Sequence, residues 1–248
     1  KLIVAEGKIC AAVLEAPMTL ERIRVLLKTT DFADVVHENA VLRAHGNYEV
    51  IYGNQRRVLK DGEEIKLTAF SEELSEERVL LKPENENARM EIASIKRNYG
   101  IPVYAGNIEV VKDSGGLVII NDLNLETYLY SVVPSEMPSS YPIEALKAQA
   151  ISARTYTYFH MLDFAYPEWA AHVDDSTSYQ VYKNIEEKEN VNRAVDDTKN
   201  LVILNQGNLI ESFYYSTSSG RSSGYEVWKP EEEKVWLQCK ALVEIPPE

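Results

Sequence analysis

The hydrophobic rhythm of the chain changes near its middle. Up to about residue 100, short runs alternate apolar and polar positions with a period of two, the pattern of half-buried strands. They fall at residues 8–14, 23–27, 41–44, 48–52, 57–59, 64–68, 79–81 and 90–95. Lys60-Asp61-Gly62, between two of these runs, reads as a tight hairpin turn. Two further strands are expected at 106–111 and 116–121, joined by Asp113-Ser114-Gly115-Gly116. The rhythm then lengthens. Residues 142–164 are rich in helix formers, and Ile143, Leu146, Ala150 and Ala153 recur at helical spacing on one core-facing stripe. Pro142 suits the first helical position, with Ser140 or Tyr141 just outside as the cap. A second helix is expected at 187–197, followed by strands at 201–204 and 209–215.

This pattern predicts an α+β fold, with a β-rich N-terminal half and a catalytic unit built around one long helix with flanking strands. Residues 1–100 read as a scaffold region and 101–248 as the region that carries chemistry, with no linker visible between them. At 248 residues the chain is long enough to bury a hydrophobic core. No apolar stretch approaches the roughly 20 residues that a membrane-spanning helix needs. The start at Lys1, without a basic and apolar leader, reads as trimmed and is compatible with a removed signal peptide or anchor.

Charge narrows the range of partners. With 39 acidic against 26 basic residues the net charge is -13, a field that repels nucleic-acid phosphates and anionic membrane surfaces. A carbohydrate fits better, because aromatic and hydrogen-bonding side chains bind it and the chain has 15 tyrosines. Tyrosine is also a common strand residue, so this preference is mild. Cys10 and Cys239 sit at opposite ends and form no metal-binding spacing; they are two free thiols, or a bridge if the termini meet. His37, His45, His160 and His172 are scattered, so no metal site is expected.

Four segments are candidates for chemistry. In Val133-Pro134-Ser135-Glu136-Met137-Pro138, two prolines bracket a glutamate among apolar neighbours. The prolines predict a rigid loop, and the apolar surroundings are expected to favour the neutral carboxyl, the property of a glycosidase acid. The bland alternative is a capping or surface glutamate in a proline turn. On the long helix, Lys147 and Arg154 lie seven residues apart on one line, where they either orient Glu136 and bind sugar or form a solvated face. Asp174-Asp175-Ser176-Thr177-Ser178-Tyr179-Gln180-Val181-Tyr182 makes a polar segment that offers a second carboxylate or, equally, an Asx-type turn. Phe213-Tyr214-Tyr215-Ser216-Thr217-Ser218-Ser219-Gly220-Arg221 reads as a strand opening into a hydroxyl-rich loop able to grip a sugar, or as an ordinary loop.

Taken in order, these segments resemble the SpoIID / LytB family of stage II sporulation protein D and amidase enhancers. The resemblance rests on Asn121-Asp122-Leu123 through Tyr128-Leu129-Tyr130, on Val132 to Pro138, and on Glu144-Ala145-Leu146-Lys147-Ala148-Gln149-Ala150. It continues through Ala153-Arg154-Thr155-Tyr156, Asp175-Ser176-Thr177, Gln180, Tyr182, Tyr215-Ser216 and Ser218-Ser219-Gly220, covering about residues 101–228. It implies a lytic transglycosylase that cleaves MurNAc-GlcNAc bonds of peptidoglycan glycan strands, preferably peptide-free ones, to 1,6-anhydro products. Glu136 falls on the family's catalytic glutamate, and Lys147 and Arg154 on its helix cations. Ser176, Gln180, Tyr215, Ser216 and Ser218 are the expected substrate-binding residues. The resemblance also implies an extracytoplasmic location, secreted or membrane-anchored, at the forespore-engulfing membrane in a sporulation role. The expected partners are glycan strands, a cell-wall amidase and other sporulation membrane proteins. The alternative within the family is a non-catalytic glycan-binding enhancer of a cell-wall amidase. A third reading is a muramidase pairing Glu136 with Asp174 or Asp175. No cofactor is expected. Some members bind zinc through cysteines near the Asp-Ser-Thr segment; Val173 and Tyr179 stand in that neighbourhood here, so none is expected. Ser219-Gly220-Arg221 departs from the two glycines often found in the family's Ser/Gly loop.

Overall fold

Alternating burial sorts the early strands into two sheets. The computed structural model describes residues 2–5, 8–12, 20–183 and 187–215. β1 (Leu2–Ala5) and β2 (Lys8–Ala12) form an antiparallel pair. The chain then runs through β3 (Arg22–Leu27), β4 (Asn39–His45), β5 (Tyr48–Tyr52), β6 (Gln55–Leu59) and β7 (Glu64–Thr68). After these come β8 (Arg78–Pro83), β9 (Arg89–Ile92), β10 (Val103–Tyr104), β11 (Asn107–Asp113) and β12 (Gly116–Asn124). Helices α1 (Leu125–Glu136), α2 (Ile143–His160) and α3 (Glu189–Asp197) follow, with β13 (Val173–Asp174) between α2 and α3. A small pair, β14 (Leu204–Asn205) and β15 (Asn208–Leu209), lies beyond them. The fold is α+β, strand-rich first and helical later, as the hydrophobic rhythm predicts.

The larger sheet has the order β13-β3-β12-β11-β8-β5-β6, antiparallel except for the β13–β3 pair. The smaller sheet has the order β10-β9-β4-β7. Strands from both sides of residue 100 therefore share one sheet, and one core runs from Ile23 through Leu81 and Leu129 to Val195. β12 is buried on both faces. Leu117, Ile119 and Leu123 face the main core, while Val118 and Ile120 meet Leu26, Val111 and Ala171 on the other side. Gly116 opens β12 where a side chain has no room: a Cβ there would lie 2.3 Å from the His37 carbonyl.

Two expectations about strands change. Lys60-Asp61-Gly62 is a turn, with Gly62 at φ +79, but β6 and β7 do not pair across it. The Gly62 N–H donates to the Ala44 carbonyl at 2.8 Å and Ala44 N–H to Glu63 O at 2.9 Å, so the turn hands the chain from the larger sheet to the smaller. The strands expected at 201–204 and 209–215 shrink to the β14–β15 pair. Leu201 and Leu204 are exposed, and this part of the chain bonds to α2 instead: Ile203 N–H to Thr155 Oγ1 at 2.9 Å, Ser212 Oγ–H to Ser152 O at 2.7 Å.

Candidate active site

α1 starts cleanly. The Asn124 side chain caps it by accepting the Glu126 N–H at 2.9 Å, and Leu125, Tyr128, Leu129, Val132 and Val133 form its buried stripe. The helix then runs through Pro134 to Glu136, so the glutamate is held at a helix C-terminus and not on the rigid loop that its prolines predict. Pro134 cannot donate to the Tyr130 carbonyl, a loss that a helix interior tolerates poorly. Here the proline is in the last turn and buried with Val132 and Val133, and Ser135 Oγ–H bonds back to Ser131 O at 2.6 Å. Apolar burial and a local side-chain bond thus carry the helix two residues past the proline. Met137 ends it in an extended conformation.

Glu136 is half-buried, and its two oxygens have different surroundings. Oε1 accepts the Val181 backbone N–H at 2.9 Å and the Tyr214 hydroxyl at 3.4 Å. Among the described residues, Oε2 receives no hydrogen bond. Behind Tyr214 stands Gln180, whose amide donates to the Tyr214 oxygen and to the Ala153 carbonyl, each at 3.1 Å, while Thr157 Oγ–H donates to Gln180 Oε1 at 2.7 Å. Burial, reinforced by the Glu136 carboxylate, pushes the Tyr214 hydroxyl far above the usual tyrosine range, so it remains a donor. The segment that presents Val181 is pinned by Tyr182, which is fully buried, stacks with Tyr104 and donates to Asn121 Oδ1 at 2.9 Å.

Above Glu136 lies a cavity of about 300 Å³, walled by Pro138, Tyr141, Gln149, Val181, Tyr214 and Tyr215 among others. Among the described residues, the buried Nε2 of Gln149 has no hydrogen-bond partner. Tyr215 is on the exposed rim and Gln180 is behind the carboxylate. Ser216 and Ser218 lie outside the described residues.

The remaining predicted residues sit elsewhere. Arg154 is fully buried and forms a two-pronged pair with Glu126 at 2.7 and 2.9 Å, with further bonds to Thr198 and to the Val195 and Leu201 carbonyls. Lys147, on the same line of α2, pairs with Asp197 at 3.1 Å and Glu144 at 3.3 Å. Both cations thus engage the α3 side of α2, and neither lines the Glu136 cavity. Ser176 donates its hydroxyl to Asp174 Oδ1 at 2.6 Å, and Tyr166 donates to the other oxygen of that carboxylate. Asp175 is buried against Arg97 at 2.6 Å; burial pushes its carboxyl up to about 6, with Arg97 opposing.

Sequence reasoning missed Tyr214, Gln149 and the Val181 amide. Gln149 had a legible signal, since two residues on a helix turn by about 200° and place it opposite Lys147. Tyr214 was hidden by the expected strand over 209–215, on which neighbours point to opposite faces and only one of Tyr214 and Tyr215 would face a site.

Residues 113–204 match the family model described as "SpoIID: Stage II sporulation protein". An uncharacterised protein of Brachyspira hyodysenteriae is 37% identical over 125 residues, covering 50% of this chain and 33% of that protein. The amidase enhancer of Bacillus subtilis is 39% identical over 101 residues, 40% of this chain and 13% of its own length. Stage II sporulation protein D of Bacillus subtilis is 32% identical over 123 residues, 44% of this chain and 36% of its own. The matches thus span little more than a third of each relative at most. The matched segment holds α1, Glu136, α2 and the Gln180–Val181 support, and it is over this segment that the chain is similar to stage II sporulation protein D and the amidase enhancer.

Proposed function

We propose that the protein is a lytic transglycosylase of peptidoglycan glycan strands, with Glu136 as both acid and base. The observation that carries this reading is a carboxylate fixed through Oε1 and left without a hydrogen bond from the described residues at Oε2, beneath a polar cavity. A protonated Glu136 gives its proton to the glycosidic oxygen as the MurNAc C1–O bond breaks. The resulting carboxylate takes the proton of the same sugar's C6 hydroxyl while that oxygen bonds to C1. The products are a 1,6-anhydro end and a free hydroxyl on the leaving sugar, and Glu136 ends protonated as it began. The substrate supplies the nucleophile, so one carboxylate suffices.

The single-carboxylate scheme suits the surroundings. A muramidase needs a second carboxylate facing the same bond. Asp174 is saturated by Ser176 and Tyr166, Asp175 is held by Arg97, and neither lines the Glu136 cavity. The family and the names of the relatives favour a cell-wall role in sporulation, and we place the chain outside the cytoplasm, where such strands lie. The likeness to an amidase enhancer favours a second reading, a glycan-binding modulator acting with a cell-wall amidase.

Mass spectrometry of products from peptide-free strands separates the readings. The wild type is expected to release products one water lighter than hydrolysis gives, and Glu136→Gln none. Intact strands that nevertheless bind the wild type would reject catalysis and favour the modulator.

A further inference from the structure

A second cavity, of about 160 Å³, shares Val181 and Lys183 with the one above Glu136. Its other walls include Phe32, Arg97 and Tyr99, from the part of the chain that precedes the family match. The charge of Arg97 is already engaged by Asp175 and by the Lys28 and Thr29 carbonyls, and its guanidinium lies 4.2 Å over the Phe32 ring. Tyr99 is 59% exposed. The Lys183 ammonium, 6.0 Å from the Tyr99 ring, has no carboxylate partner among the described residues. A cation without a carboxylate partner among the described residues, at the junction of two cavities in a chain of net charge -13, is placed for an anionic group on whatever fills both. An exposed aromatic face beside it suits the C–H face of a sugar ring.

We propose that the two cavities form one glycan groove, in which Tyr99 stacks on a sugar next to the cleaved bond and Lys183 pairs with that sugar's carboxylate. This assignment rests on the glycan reading of the Glu136 cavity. The lactyl group of MurNAc ends in a carboxylate when the stem peptide is absent and in an amide when it is present. Lys183 is therefore a specificity-determining residue that tells peptide-free strands from substituted ones by charge, since an amide offers an ammonium a carbonyl oxygen but no opposite charge.

The test is strand binding by the Glu136→Gln protein, so that cleavage does not intervene. Affinity is measured for peptide-free strands and for the same strands with their carboxylates converted to methylamides. The Glu136→Gln protein is expected to favour the acidic strands about tenfold. Adding Lys183→Gln is expected to abolish the preference, and adding Tyr99→Ala to weaken both forms several-fold without changing it. A preference that survives Lys183→Gln overturns the charge assignment, and unchanged affinity in Tyr99→Ala overturns the stacking. Absence of binding to either strand by the Glu136→Gln protein defeats the glycan reading itself and the subsite with it.

Discussion

At the scale of single residues, the asymmetry of Glu136 is what the surrounding side chains act on. Tyr214 supplies one of the two donors to Oε1 and takes its own orientation from Gln180. Tyr214→Phe removes the donor and leaves the ring in place. A hydrogen bond to a charged group is worth about 1.5–3 kcal/mol, and this one is long, so cleavage is expected to slow by about tenfold while strand affinity holds. Equal kinetics for Tyr214→Phe and wild type would show that the Val181 amide alone positions the carboxylate. Glu136 was legible because a glutamate between two prolines beside a long amphipathic helix is an uncommon arrangement. Its supports were not, because a backbone amide has no sequence signature and Tyr214 comes from 78 residues further along the chain.

At the scale of elements, three helices are fastened by one buried cation. Arg154, in the middle of α2, holds Glu126 in the first turn of α1 and the Val195 carbonyl of α3. Arg154→Ala leaves Glu126 without its partner and opens a void, and removing one side of a buried pair costs about 3–5 kcal/mol. The urea midpoint is expected to fall accordingly, while the folded fraction keeps its cleavage rate. Full stability with lost cleavage would instead return Arg154 to the chemistry. Seven-residue spacing shows that Lys147 and Arg154 share a line, but not which neighbour that line meets. The long helix was legible from its stripe. α1 was not, since Pro134 masks a helix that holds because its apolar neighbours are buried.

At the scale of the whole molecule, pH acts through buried groups that do not line the Glu136 cavity. His172 Nδ1 accepts the Arg24 N–H at 3.0 Å, which requires a neutral ring, and burial lowers its pKa to about 4. The folded value is below the unfolded one near 6.5, so the neutral ring's contribution is complete above pH 6.5 and lost as pH falls toward 4. Asp175 runs the other way: its raised pKa favours the folded state as pH falls from about 6 toward the ordinary value of 3.8. His172→Asn keeps an acceptor without titrating. Thermal melts of wild type and His172→Asn are expected to diverge across pH 6.5 to 4, the variant losing less; parallel curves would remove His172 from the account. None of this was legible, because His172 reads only as one of four scattered histidines. The strand-rich and helical halves were legible, since a period belongs to a local stretch. The sheet uniting them was not, since β3 and β12 are more than ninety residues apart and nothing in either names the other.

That separation has a consequence for the order of folding. A chain made from its N-terminus exposes β3 long before either of its neighbours exists, because β12 and β13 come from residues 116–124 and 173–174. Until they arrive, Ile23, Val25 and Leu27 form an apolar ribbon with an unpaired backbone on both sides. Pairings so distant along the chain make for slow folding and a window in which such ribbons find one another. The early strands thus wait for the segment that carries Glu136, and the cavity and its scaffold are completed together.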